Sequence, residues 1–175
     1  MRKLSMEELG RKSVEEFKQS DKTPVIIVLE NIRSAYNVGS VFRTSDAFLI
    51  EAIYIIGYSA KPPHKEIKKT ALGAEETVLW KHFVTSAEAI DELRANGYNV
   101  YAVEQAEGSF KLNAIGFEAD EKIAVIFGNE VTGVEQSTIS LCDDCIEIPQ
   151  LGMKHSLNIA TAAGVVLWEL VRARI

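Results

Sequence analysis

A chain of 175 residues, 47% of them hydrophobic, suits a single well-packed domain. Its formal net charge of −6 argues against a protein held on nucleic acid by bulk electrostatics. No apolar run approaches a membrane span, and M-R-K-L-S-M-E-E-L-G-R-K lacks the apolar region of a signal peptide, so a cytoplasmic protein is expected.

Residues 5–20 pattern as a charged amphipathic helix with Leu9, Val14 and Phe17 on its apolar side, making 1–22 an extension ahead of a main domain at 23–175. P-V-I-I-V-L-E (24–30) is too continuously apolar for a strand with one wet face, which implies a parallel sheet covered on both sides. Five more strands are expected at 52–57, 78–83, 98–104, 122–128 and 145–149. Helical patterns fall between most of them: Asn37–Phe48, a segment capped by Ser86 and ended by Gly97, and Val134–Leu141. Six strands alternating with helices predict an α/β domain whose mostly parallel sheet has helices on both faces. In the last helix, Leu157, Ala160, Gly164, Leu167, Trp168 and Val171 form the expected buried stripe.

Ligands of such sheets bind beyond the carboxyl ends of the strands. The polar residues concentrate there, in 30–48, 128–134 and 148–158. No G-x-G pair, phosphate loop or G-x-S-x-G elbow is present, which removes support from dehydrogenase, kinase and hydrolase readings. Cys142 and Cys145 form a lone C-x-x-C without a second pair at zinc spacing, so they read as structural thiols and no metal is expected. The stretch K-P-P-H-K-E-I-K-K (61–69) is either a solvated loop or a local basic patch for RNA. Asn37 and Ser156 each suit a helix cap as well as a site, Glu130 suits a surface turn, and Arg43 suits a salt bridge.

N-x-G-S-V-F-R-T (37–44), F-G-N-E-V-T-G-V (127–134) and I-P-Q-L-G-M-K-H-S-L-N-I-A (148–160) resemble the three motifs of the SpoU/TrmH branch of the SPOUT methyltransferases. The resemblance covers about residues 23–173. A-V-E-Q-A (102–106) and V-V-L-W-E-L-V-R (165–172) are further similar to the tRNA guanosine-18 ribose methyltransferases of that group. Gln150 and Ala160-Thr161 depart from the common Met and Val-Ser.

The resemblance implies S-adenosylmethionine-dependent methylation of a ribose 2′-hydroxyl of RNA, with tRNA favoured over rRNA. It also implies a homodimer and a six-stranded sheet whose C-terminal segment forms a trefoil knot. Gly128, Asn129, Ile148, Met153, Leu157 and Val103 would hold the cofactor, with Gln150–His155 as its loop. Arg43 would be the central catalytic residue, with Asn37, Glu130, Ser156 and Asn158 beside it. Arg33, Arg43, Lys61, Lys65, Lys68 and Lys69 would meet the RNA. A knotted dimer that binds RNA without methylating it, and a small-molecule-binding α/β protein, are the alternatives.

Overall fold

The computed structural model describes residues 1–5, 7–154, 156–172 and 174–175. An interior strand, β1 (Thr23–Glu30), is buried from Val25 onward. Successive side chains of a strand point to opposite faces. Val25, Ile27 and Leu29 therefore enter one core cluster, and Ile26 and Val28 enter the other. Its neighbour β6 (Ile123–Phe127) divides in the same way, with Ile123, Val125 and Phe127 on one side and Ala124 and Ile126 on the other.

The remaining strands are β2 (Ile50–Ile56), β3 (Leu79–Phe83), β4 (Asn99–Val103), β5 (Phe110–Lys111) and β7 (Asp144–Glu147). Among the described residues they form one sheet in the order β3-β2-β1-β6-β4-β7-β5, and every pairing is parallel. The sheet thus has seven strands where the sequence indicated six. The extra strand, β5, is two exposed residues at the edge, too short to leave an alternating pattern.

One face is covered by α2 (Ala35–Ala47), α3 (Lys65–Ala71), α4 (Ala74–Thr77) and α7 (Ile159–Val171). The other is covered by α5 (Ser86–Ala95) and the single turn α6 (Gln136–Ile139), much shorter than the expected Val134–Leu141. Among the described residues, no helix is long and apolar enough to cross a membrane.

Several helix starts differ from the sequence reading because a hydroxyl further upstream takes the cap. Ser34 caps α2, its side chain accepting from the Asn37 N–H, which leaves Asn37 inside the helix. Thr85 caps α5 in a capping box with Glu88, so Ser86 is already helical. The N-terminal helix, α1 (Val14–Gln19), starts only after Gly10 turns the chain at φ +55°. Phe17 is its buried residue, while Leu9 and Val14 stay exposed. The lysine stretch is only half a loop, because His64 caps α3 and Lys65, Lys68 and Lys69 are helical.

The stripe expected on the last helix is also rotated. Ile159, Ala163, Val166, Leu167, Leu170 and Val171 face the core, whereas Leu157 precedes the helix and Trp168 is 51% exposed. The helix packs its inner side against the sheet, α2 and the turn Leu112–Ala114, so Val165 and Trp168 remain partly exposed.

α2 and α3 cross at Gly39. A Cβ there would lie 2.1 Å from Thr70 Oγ1 and 2.4 Å from the Ile67 carbonyl oxygen. The Thr70 hydroxyl donates to the Tyr36 carbonyl at 2.9 Å across the same contact. Alanine normally improves a helix interior by about 1 kcal/mol over glycine. Gly39→Ala should instead destabilise the protein by about 1–3 kcal/mol, the usual cost of overpacking. Urea denaturation that finds the variant as stable as the parent would show that the crossing is looser than described.

Candidate active site

β1 runs one residue past β6, whose last residue Phe127 lies opposite Leu29, and the loops after β6, β4 and β7 gather at this edge of the sheet. The loops after β4, β6 and β7, with the start of α7, enclose a cavity of about 670 Å³, within the range of small-molecule sites. Val103, Ile148, Leu157 and Ile159 supply apolar wall, while Glu104, Gln105, Gln150 and Ser156 supply polar wall. Gly128, Asn129 and Glu130 form its rim with the turn that follows. Met153 is 83% exposed and stands outside the cavity wall. His155 lies outside the described residues.

The rim turn is built by Asn129. Its backbone pairs with Gly133 in both directions, at 3.0 and 2.9 Å, and its Oδ1 accepts from the N–H groups of Val131 and Thr132. Its Nδ2 donates to the Asn31 carbonyl at 2.9 Å and to the Tyr58 hydroxyl at 2.8 Å. Gly128 is required by this turn, because a Cβ there would come within 2.1 Å of the Gly133 and Val134 backbone. The site therefore needs that glycine for its own closure before any ligand enters.

Glu130 is the hub between the motifs. Its carboxylate accepts from the N–H groups of Arg33 at 2.8 Å and Ser34 at 3.0 Å, and from Asn37 Nδ2 at 2.9 Å. Asn37 Oδ1 in turn accepts from Asn158 Nδ2 at 3.2 Å. Asn158 is the cap of α7, its Oδ1 accepting from the Ala160 and Thr161 N–H groups. One chain of hydrogen bonds thus links the start of α2, the β6 turn and the start of α7. Three of the residues expected from sequence, Asn37, Glu130 and Asn158, are in direct contact.

Arg43 lies six residues beyond Asn37 on α2, about 9 Å along the helix axis. It is exposed, as are Arg33, Lys61, Lys65, Lys68 and Lys69. Among the described residues none of these six side chains forms an ion pair, so their charge is available to a partner. Lys69 sits against the α2 surface, its Nζ 3.4 Å from the Tyr36 hydroxyl.

Two carboxylates that sequence reasoning passed over complete the scaffold. Glu104 accepts from the Val134 N–H at 3.1 Å and the Gln105 N–H at 2.9 Å, locking the β4 loop to the rim turn. Glu30, only 1% exposed, accepts from the hydroxyls of Ser86 and Thr138 and from the Glu135 N–H at 2.9 Å. A charged residue closing an unbroken apolar run was the available signal for it. The thiol pair has no comparable role. Burial, with Cys145 and Asp143 nearby, pushes the Cys142 thiol up to about 12, so it stays protonated at neutral pH. Cys145 is buried in β7. Among the described residues, no group of three or more His, Cys, Asp or Glu could hold a metal ion.

Burial raises the pKa of Glu130, but the hydrogen bonds from Arg33, Asn37 and Ser34 outweigh it, so the net shift is downward. A carboxylate with a depressed folded value stabilises fully above the ordinary carboxylate range and loses that contribution as pH falls through the folded value. Glu130→Gln should therefore be less stable than the parent at pH 7, and the gap should narrow towards pH 3. Chemical denaturation across that range checks it, and a gap independent of pH would disprove the ionic role.

Residues 24–168 match the sequence model of the SpoU rRNA Methylase family. The tRNA (guanosine(18)-2′-O)-methyltransferase of Thermus thermophilus is 29% identical over 168 residues, covering 96% of this chain and 84% of that protein. A Staphylococcus aureus protein assigned to the TrmH family of tRNA/rRNA methyltransferases is 29% identical over 90% of this chain. The chain spans 62% of that relative's length. The crystal structure of the AdoMet-bound rRNA methyltransferase from Sinorhizobium meliloti matches with a TM-score of 0.81 at 26% identity, covering 94% of this chain and 62% of that one. The chain belongs to the SpoU rRNA Methylase family.

Proposed function

We propose that the protein transfers a methyl group from S-adenosylmethionine to a ribose 2′-hydroxyl of RNA, with tRNA preferred to rRNA. The observation that carries this reading is the Glu130–Asn37–Asn158 chain, which ties the rim of a small-molecule-sized cavity to α2, the helix that carries Arg43, a side chain without an ion pair among the described residues. The tRNA preference follows the Thermus relative, matched over most of both chains.

The cavity suits the cofactor. Apolar walls at Val103, Ile148 and Leu157 can sandwich an adenine, and backbone groups at Gly128, Ile148 and Leu157 lie along its edge. When bound, the cofactor supplies an electrophilic methyl on a sulfonium. The protein's task is then to bring a 2′-oxygen into line and help its proton leave.

On this reading the side chains divide the labour by what each can do chemically. A guanidinium has a pKa above about 12 and does not serve as a base at neutral pH. Arg43 instead clamps an RNA phosphate through its fork of donors and offsets developing negative charge. Glu130 is a positioning residue, since its oxygens are already engaged by Arg33, Ser34 and Asn37. Asn158 is similarly engaged at both ends of its amide. Ser156 lines the cavity without a hydrogen bond among the described residues, which makes it the group to guide the proton.

The same proposal includes assembly. An apolar depression formed by Ile148, Pro149, Gly164, Val165 and Trp168 shares Ile148 with the cofactor cavity. A second copy seated on that face would bury Trp168 and close one side of the site, so the active form is a homodimer. The loop between β7 and α7 would form the trefoil knot around the cofactor. Residues 1–22 are the extension to this domain, and the protein acts in the cytoplasm with its RNA.

Incubation with labelled S-adenosylmethionine and either tRNA or rRNA from a strain lacking the protein should place label on a ribose, and mapping identifies the nucleotide. Arg43→Ala should lower methyl transfer by roughly 100-fold or more, the scale for losing one preorganised charge-stabilising donor. Cofactor affinity, read by calorimetry, should stay within a few fold. Unimpaired transfer, or cofactor affinity lost along with it, would remove Arg43 from the role assigned here.

A further inference from the structure

Tyr58 is oriented against the habit of its residue type. A surface tyrosine usually buries its ring and leaves its hydroxyl to water. Here the residue is 65% exposed, yet its hydroxyl accepts from Asn129 Nδ2 at 2.8 Å. At its other end, the Tyr58 N–H reaches Asn31 Oδ1 at 3.4 Å.

Both anchors are themselves held. Asn31 adopts φ +53°, and its Nδ2 donates to Glu135 at 2.8 Å. The preceding Gly57 has φ +65°, and a Cβ there would lie 2.1 Å from Asn31 Oδ1, so the turn fits tightly over that amide. Asn129 is bonded to the Asn31 carbonyl and is followed by Glu130, the hub of the site. The ring is thus pinned at base and tip by residues of the active-site rim.

Tyr36 has Lys69 over its face, with the Nζ 5.8 Å from the ring centroid. Among the described residues neither a second ring nor a cation stands over Tyr58. Nor does Tyr58 line the cofactor cavity. The chain runs from it directly to Lys61 and Lys65, both exposed and free of ion pairs.

Exposed apolar area that is held rigid beside free positive charge fits one ligand chemistry well. Unstacked bases of single-stranded RNA find aromatic faces to stack on, and their phosphates find lysines. A ribose presented to a methyl donor must leave its own stack, so a base at or next to the reacting nucleotide needs a new surface. A ring whose rotamer is already fixed loses little freedom on accepting it.

We infer that Tyr58 is a stacking platform for an RNA base, at or adjacent to the nucleotide whose ribose is methylated. The inference rests on the methyltransferase reading above. It assigns Tyr58 to the RNA, separate from the cofactor and from the phosphate contacts of Arg43.

Two variants separate the ring from its hydroxyl. Tyr58→Phe keeps the ring and removes the bond to Asn129, whereas Tyr58→Ala removes both. Affinity for unfractionated tRNA should fall roughly tenfold in Tyr58→Ala, the scale of one lost base–aromatic stack. It should fall much less in Tyr58→Phe, which keeps the ring and loses only its tip anchor. The salt dependence of binding should be unchanged in both, because stacking releases no counterions. A single-stranded oligouridine carrying one 2-aminopurine should be quenched by the parent and by Tyr58→Phe, and much less by Tyr58→Ala. Equal loss in both variants would make Tyr58 a hydroxyl bolt for the Asn129 turn and overturn the platform, as would no loss in either. If the parent methylates RNA while Tyr58→Ala binds normally, the platform alone fails. If the parent neither binds nor methylates tRNA or rRNA, both readings fail together.

Discussion

A carboxylate at the N-terminus of a helix meets backbone N–H groups that have no partner within the helix, and the arrangement favours negative charge. Glu130 uses this physics across a long stretch of chain, reaching from the β6 turn to the N–H groups of Arg33 and Ser34 at the start of α2. The remaining acceptor capacity goes to Asn37, and Asn37 passes the constraint to Asn158. Three segments far apart in sequence are held together by these few bonds. The direction of α2, and with it the position of Arg43, depends on them.

The sheet makes such a hub possible. Parallel strands in continuous register bring the ends of β1 and β6 within one residue of each other, so the loops that follow start from one rigid edge. Behind that edge, Glu30 ties the approach to α5 and the start of α6 to β1 through bonds from Ser86, Thr138 and Glu135. A buried carboxylate is tolerated only when its lone pairs are well satisfied, and here they are. The second carboxylate pin, Glu104, fastens the opposite side of the rim. Rigidity at the site thus comes from three acidic residues, two of them unremarkable in sequence.

The layered fold was readable because burial on two faces forces continuous apolar strands, and β1, β2 and β6 show that pattern plainly. The edge strand β5 was not, since two exposed residues carry no periodicity. The family resemblance pointed to Asn37, Glu130 and Asn158, which the fold brings into contact, while periodicity misplaced the caps around two of them. Ser34 outcompeted Asn37, and Asn158 outcompeted Ser156, because capping is decided by which short side chain reaches the free N–H groups in three dimensions. The buried face of α7 was misjudged for a similar reason. A helix rich in small and apolar residues all round gives no strong contrast, so the elements packed against it determine which side is inside. Tyr58 was invisible in sequence, because its significance lies in a bond from a residue 71 positions away.

Gly39 lets α3 press against α2 until backbone and side chain touch, so these two helices cannot shift independently. Arg43 rides on one and Lys65, Lys68 and Lys69 on the other. Their charges therefore form a ruler of constant span rather than a flexible brush. Under the proposed RNA-binding role, a strand laid along it would be sorted by the pitch and curvature of its phosphates before any base is inspected, and one that bends the wrong way would meet the charges out of step.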